Sequence, residues 1–570
     1  MAWARFGSKA KYLSIAFGVI AGLLVLYAVH SANGFASFPF DDAWIHLTFA
    51  RTLASTGRFA YGAMNPATSG STSPLFTFLE AILFLLSSNE FVVSLIVSIG
   101  AFAVAAYFFY LLVRESSSLP WFPLVGMLLF LLFPSLLVIS NWGMETGLVI
   151  ALLLWSLYAY RRERWTELAI ALGLAIWARP DTLVLAATIG IDLLYIRKTL
   201  ASRPRIRSLV IFFAIVAGYV GFNLLLSHTP LPNTFYAKLA YYKSGNGTFY
   251  AALWQLIAGG GKIVAFLFAI AGIAWTFGRK QRGNLILVLY PVGMVLLYHW
   301  KLPYLYQDGR YLIPIVPFIL LLALIGVART SAWILKSAVA ASVLAILILF
   351  IAVGAADSGM SDAVDNLAFE GSYIHNLQVT TAEWCSTHLP AHAAITTHDI
   401  GAMGFYSHRK VIDLVGLADP DMIPYLDKPG VANAARKKGA SFAALLDNWY
   451  EIPNENSVFV DAPSESETMR VYNFTDSSRF TGAKVLSIHK YMENVLRGDD
   501  PSSLGEAIRQ SVATEPDNAL TYTLAGEILL KTGRKNEAKN ELEQALQLFP
   551  NSERAKQDMI AAMQGIHSSQ

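Results

Sequence analysis

The chain has 570 residues, 55% of them hydrophobic and 15% charged, with a mean hydropathy of +0.46 and one cysteine, Cys385. That composition is too apolar for an ordinary soluble domain, and a single cysteine excludes an internal disulfide framework. The formal charge of +3 hides two halves: residues 1–354 carry 25 Lys/Arg against 11 Asp/Glu, a net of +14, and residues 355–570 carry 18 against 29, a net of −11.

The basic excess sits in short loops between apolar runs, where Lys and Arg set membrane orientation, so it argues for a bilayer and against nucleic acid. The basic start "MAWARFGSKAKY" precedes an apolar run. A cleaved signal peptide ending near "SANGFA" is one reading. A retained first helix with a cytoplasmic N-terminus fits the many later spans better. Apolar runs near 11–30, 91–113, 119–139, 145–160, 166–178, 181–196, 208–226, 251–277, 284–300, 312–328 and 332–354 give eleven crossings. This count places the basic loops "RRERW", "RKTLASRPRIR" and "RKQRG" inside and the C-terminus outside. The run 74–86 is short and contains Glu80, so it reads as a re-entrant or interfacial helix on the outer side. The fold class expected is a polytopic helical membrane protein: a transmembrane domain over 1–354 with a first outer loop at 31–90, an extracytoplasmic α/β domain over 355–500, and a helical tail over 501–570.

In chain order, the first chemical feature is "SFPFDDAWIHLTFA" (37–50). Asp41 and Asp42 precede a helix in which Ala43, Leu47, Ala50 and Ala54 share a face, and Asp42 and His46 stand four residues apart. One aspartate is enough for an N-cap, which leaves the other for catalysis or a divalent cation. Next, "YGAMNPATSGSTSPLF" (61–76) offers Asn65, Ser71 and Thr72, which suits a plain loop or a sugar- or phosphate-binding one. Glu145 begins a span in "NWGMETGL", and ionisable residues at membrane depth are functional candidates. "WARPDTL" pairs Arg179 with Asp181, either as a structural ion pair or as part of a site. "TPLPNTFYAK" contributes Asn233, Tyr236 and Lys238, and "YLYQDGRYLIP" contributes Asp308 and Arg310. The cations suit a phosphate at the membrane surface or lipid headgroups.

Beyond the spans, "AAITTHDIGAMGFYS" and "KVIDLVGL" alternate as strands with Gly-containing turns. His375, His388, His392, His398 and His408 match no common zinc spacing. In the tail, Pro516 and Pro550 bracket Tyr522, Gly526, Ala538, Leu542 and Ala545 at the spacing of a tetratricopeptide repeat. Such a unit docks a protein partner or serves as a packing element.

Taken together, "DDAWIHLTFARTLASTGRFAYG", "GSTSPLF", "GMETGL", "ARPD", "LPNTFYAK", "DGRYLIPIVP" and "DIGAMGFYSHRKVIDLVGLADP" resemble the GT-C superfamily of integral-membrane glycosyltransferases. The resemblance covers roughly residues 10–425 and is nearest the bacterial arabinofuranosyltransferase and protein mannosyltransferase-like branch. It implies a polyprenyl-phosphate sugar donor, a cell-envelope glycan, lipid or protein acceptor, and inverting transfer on the extracytoplasmic face of the inner membrane. It also implies an essential aspartate of the first outer loop, matched here by Asp41 and Asp42, while His46 stands where it would tune the acceptor. A flippase for a lipid-linked sugar would place polar groups at the midplane and repeat its bundle. A scaffold carrying a docking tail would leave the outer acids unexplained.

Overall fold

The computed structural model describes the chain except residue 1 and residues 117–120, 197–204, 242–248, 260–261, 278–282, 303–306, 308, 336–337, 427–430, 447–449, 452–456, 461–468, 474–480, 483–518, 549–552 and 565–570. It divides into two compact units, Met1–Ile374 and His375–Gln570. The boundary expected at 354 lies inside a continuous helix, Ala338–Ile374.

The first unit is helical throughout. Its elements are α1 (Ala2–Asn33), α2 (Asp42–Thr56), α3 (Pro74–Phe84), α4 (Glu90–Ser116), α5 (Phe122–Leu131), α6 (Pro134–Leu137), α7 (Thr146–Arg161), α8 (Trp165–Ala178) and α9 (Leu183–Ile196). They continue as α10 (Ile206–Ser227), α11 (Asn233–Tyr241), α12 (Phe249–Ile257), α13 (Lys262–Phe277), α14 (Asn284–Lys301), α15 (Val316–Leu335) and α16 (Ala338–Ile374). Five helices among the described residues are long and apolar enough to cross a bilayer, or seven if each of two bent pairs is one span. The span expected at 119–139 is one such pair: Phe122–Leu131 and Pro134–Asn141 meet at 72°. The cause is local, since Pro134 cannot donate to the preceding turn and its ring crowds that carbonyl. Helices α3, α7 and α8 are apolar but shorter than a full span.

Close approach of small residues fastens the bundle. A Cβ placed on Gly272 of α13 would fall 2.0 Å from the Leu322 carbonyl oxygen of α15, and one on Gly326 would fall 2.0 Å from that of Phe268. The two backbones therefore touch through reciprocal glycines, as helices do where the solvent gives no hydrophobic drive.

Helix α2 departs from the one-faced pattern expected. Ala43 through Ala50 are all buried, with Trp44 and Phe38 edge to face at 5.2 Å and both against Phe91. Asp41 occupies the N-cap position but makes no side-chain cap. The helix ends at Gly57, whose φ of 71° lets its N–H reach Leu53 O at 2.9 Å. Helix α3 opens on a proper cap: Ser73 Oγ accepts from Phe76 N at 3.3 Å, with Pro74 at the first helical position.

The second unit carries a five-stranded sheet of order β2-β1-β3-β6-β5, from β1 (Ala394–Thr397), β2 (Lys410–Asp413), β3 (Phe442–Leu446), β5 (Ser457–Val460) and β6 (Met469–Asn473). Strands β2, β1 and β3 run parallel and β6 returns antiparallel. All four residues of β1 are buried, as expected where both sheet faces are covered. A second ribbon pairs β4 (Tyr450–Glu451) with β7 (Thr481–Gly482). The tail forms three helices, Ala519–Lys531, Lys535–Leu548 and Glu553–Gln564, in which Gly526 admits the Leu542 side chain and Ala545 and Ala555 join the core. Pro516 and Pro550 lie outside the described residues.

Candidate functional site

Four segments distant in sequence converge at the start of α2. Arg310 and Tyr311 follow Gly309, whose φ of 71° closes a tight turn with Leu312 N on Gly309 O at 2.8 Å. Two consecutive side chains thereby enter one place. The Arg310 guanidinium is 1% exposed and forms an ion pair with Asp42, which is 21% exposed. The same Nη2 donates to Tyr311 Oη at 3.1 Å, and Nη1 lies 3.9 Å from Met144 Sδ. Lys238 of α11 donates to Tyr311 Oη at 2.8 Å and stands 3.8 Å from Asp42 Oδ2. Two cations thus share one phenol oxygen and one carboxylate. Arg310 Nε has no hydrogen-bond partner among the described residues.

These charges set the protonation states. Burial pushes the Asp42 carboxyl up, but Arg310 and Lys238 outweigh it, and the group lies below the ordinary carboxylate range. Burial likewise pushes the Tyr311 phenol up, and the same two cations bring it below its ordinary value.

A second layer lies beneath. His46, on the next turn of α2, is buried, with Nδ1 3.0 Å from Ser71 Oγ and Nε2 3.4 Å from Glu145 Oε2. Ser71 Oγ continues to Thr77 Oγ1 at 2.9 Å. His46 therefore faces inward, between the hydroxyl-rich loop and the start of α7. Thr72 is half-buried beside Ser71. On the far side, Arg179 forms an ion pair with Asp181 and also donates to Tyr311 O at 3.2 Å and Tyr298 Oη at 3.3 Å. Tyr298 donates to Asp181 at 2.7 Å. Arg179 is thus tied both to its own turn and to the backbone that carries the Arg310–Tyr311 pair.

Other candidates are held by contacts within the protein. Asn233 is buried, donating from its side chain to Thr68 Oγ1 at 2.5 Å and from its backbone to Ser69 O at 3.1 Å. Thr68 and Ser69 in turn meet Ser227 Oγ at 3.3 and 2.8 Å. The hydroxyl-rich loop is thereby pinned to the end of α10. Asn65 lies in a part of that loop closed by Arg58, which donates to Asn65 O at 3.1 Å. Tyr236 is half-buried against Phe235. Asp308 lies outside the described residues.

Sequence reading named the charged members and passed over Tyr311, Tyr298 and Thr77. Tyr311 had one usable signal, its place beside an arginine in an outer loop. Tyr298 and Thr77 sit on apolar helices and had none.

No group of three or more His, Cys, Asp or Glu side chains gathers to hold a metal ion among the described residues, and Asp42 is already matched by Arg310 and Lys238.

Comparison with known proteins bears on the fold. The chain covers 98% of ArnT from Cupriavidus metallidurans, in a crystal structure described as bound to undecaprenyl phosphate, over 81% of its own length, at a TM-score of 0.55 and 12% identity. The apo structure of the same protein gives 0.55 and 13% identity over 80% of this chain and 98% of that one. The chain shares the ArnT fold, in keeping with the GT-C-like architecture expected. A family model described as a domain of unknown function, DUF8728, matches residues 369–489. No curated protein matches the chain.

Proposed function

We propose that the chain is a membrane glycosyltransferase that moves a sugar from a polyprenyl-phosphate donor to a cell-envelope acceptor on the extracytoplasmic face, with inversion. The observation that carries this reading is the cluster of Asp42, Lys238, Arg310 and Tyr311, where a buried arginine has an Nε–H unmatched among the described residues beside a second cation. A buried donor without an acceptor is costly, so the site favours an anion there. The likeness in fold to a protein bound to undecaprenyl phosphate supports a lipid phosphate as that anion.

We infer a division of labour between the two aspartates. Asp42 is held in the charged form by its cations and is a weakened base; its role is to fix Arg310 and Lys238. Asp41, beside it and half-buried, is assigned as the base. Asp41 takes the proton of the acceptor hydroxyl, and the acceptor oxygen bonds to the anomeric carbon. The bond from that carbon to the phosphate oxygen breaks, and its electron pair leaves with the polyprenyl phosphate, whose charge Arg310 and Lys238 stabilise. The tail helices, if they act as a tetratricopeptide-like unit, add a protein-docking surface to this enzyme.

The test is transfer from a radiolabelled polyprenyl-phosphate sugar by purified enzyme in detergent. Asp41→Asn is expected to lower turnover by about 10²–10⁴-fold. Full turnover in both Asp41→Asn and Asp42→Asn sinks the reading. Mass spectrometry of envelope glycans from a deletion strain then names the sugar and acceptor.

A further inference from the structure

In "GRYLIP" (309–314) the carbonyl oxygens of Arg310 and Tyr311 stand where a helical turn would match them with an N–H three or four residues on. Pro314 is the fourth residue after Arg310 and the third after Tyr311, and it has no N–H. The donors on either side are taken. Ile313 N bonds Gly309 O at 3.1 Å, and Ile315 N bonds Leu312 O at 3.0 Å. Both residues are buried, and a buried acceptor left unmatched is costly, so the two carbonyls draw a donor from another part of the chain.

Arg179 supplies it. Pro180 keeps the residue before it out of the helical region, so α8 stops at Ala178 and Arg179 is extended, at φ −162° and ψ 129°. From there its guanidinium donates through Nη2 to Tyr311 O at 3.2 Å and through Nη1 to Arg310 O at 3.5 Å. The fork is held from behind. Nε donates to Asp181 Oδ1 at 3.2 Å, and Nη2 is ion-paired with Oδ2 of the same carboxylate. Tyr298 Oη accepts from Arg179 and donates to Asp181, and its ring stacks on that of Tyr311 at 5.4 Å and 23°. Arg179 is 4% exposed, and each of its three guanidinium nitrogens donates to one of these groups.

We propose that Arg179 is the positioning residue of the anion site: it sets the backbone of Arg310 and Tyr311, and with it the place of the Arg310 guanidinium and the Tyr311 hydroxyl, without touching substrate. Asp181 and Tyr298 hold Arg179 in that orientation. The proposal rests on the reading of the cluster of Asp42, Lys238, Arg310 and Tyr311 as the site of a lipid phosphate. The planar fork is what matters. A lysine keeps the charge but is a single point, and it cannot meet two successive carbonyls and a carboxylate together. Misplacing a transition-state group by about 1 Å costs about 10²-fold in rate, even when the change lies away from the chemistry.

The experiment titrates the detergent-purified full chain with polyprenyl phosphate and measures transfer from the radiolabelled donor, in the parent, Arg179→Lys, Arg310→Met and the double variant. Arg179→Lys is expected to raise Kd at an unchanged number of sites per chain and to lower kcat by about 10²-fold. In the Arg310→Met background the same change is expected to weaken binding by a smaller factor, because it acts through Arg310. A purely structural role lowers the number of sites and leaves Kd alone. That result overturns the proposal, and so does an equal factor in Kd with and without Arg310. If Arg179→Lys does not fold, Tyr298→Phe takes its place, since it keeps the ring on Tyr311 and removes the hydroxyl from Arg179 and Asp181; an unchanged Kd there overturns the proposal. A parent that neither binds polyprenyl phosphate nor transfers sugar fails at the proposed function. A parent that does both, with Kd unmoved by Arg179→Lys, fails at this inference alone.

Discussion

The pairing of Asp42 with Arg310 gives the sharpest prediction, because each removal leaves a different charge behind. Breaking a buried ion pair by deleting one partner costs about 3–5 kcal/mol when the survivor is sealed from water. Asp42→Asn leaves Arg310, at 1% exposure, with the Glu145 charge as partial compensation. That relief lowers the expected cost to about 2 kcal/mol, or roughly thirtyfold in the unfolding equilibrium. Arg310→Met leaves Asp42 with Lys238 at 3.8 Å and some access to solvent, but it also removes the anchor of Tyr311 Oη. We expect about 3 kcal/mol there. The double variant has neither charge stranded, and its cost is expected to be about 3 kcal/mol instead of the additive 5. The assay is reversible unfolding in mixed micelles with increasing sodium dodecyl sulfate, run on all four proteins. Additivity to within about 0.5 kcal/mol would refute the pairing as the organiser of this site.

Three further outcomes follow from the same geometry. Tyr311→Phe removes an oxygen that accepts from Arg310 and Lys238, each a charge-assisted bond worth about 1.5–3 kcal/mol, so turnover is expected to fall more than donor affinity; equal kcat and KM to the parent would contradict its role. Gly326→Ala drives a methyl against the Phe268 carbonyl oxygen at 2.0 Å and is expected to cost about 1–3 kcal/mol or more by the same unfolding assay, whereas Gly190→Ala, with nothing within 4 Å, is expected to cost little. In the second unit, Asp413 accepts from Val415 N at 2.8 Å and Ala418 N at 2.6 Å, and burial pushes its carboxyl up to about 7. A folded pKa above the unfolded one binds the proton more tightly in the native state. The stabilisation is therefore complete below about pH 4 and lost as pH rises toward 7, about 4 kcal/mol in all. Hydrogen exchange of residues 410–418 is expected to quicken over that window, and Asp413→Asn to flatten the change.

How much of this was legible in the sequence depends on what carries each feature. The bundle was legible because apolar runs and basic loops are properties of single segments. The bend at Pro134 was also local and readable in principle, but a proline within an apolar run reads equally as a continuous span. Helix α2 was misjudged for a different reason. Its alanines suggested one buried face, while Phe38 and Phe91, from outside the helix, cover the rest. The charged members of the site could be named because acids are scarce in the membrane half. Their pairing could not: Asp42 and His46 share a face by spacing, yet one meets Arg310 and the other Glu145. The contact of Asn233 with Thr68 on the hydroxyl-rich loop was not legible either, since only the fold brings Thr68 to it.

The pairing of Asp42 with Arg310 spans 268 residues of chain, and this has a consequence for biosynthesis. At roughly 5–20 residues per second, the acid emerges roughly 13–54 s before its arginine is made. Until Arg310 is made, Asp42 lacks its buried counter-charge, and the position of α2 is not final. The Asp42–Arg310 pair thus forms only after more than half of the chain has been made. A chain halted before residue 310 is expected to carry its aspartates on the membrane and remain inert.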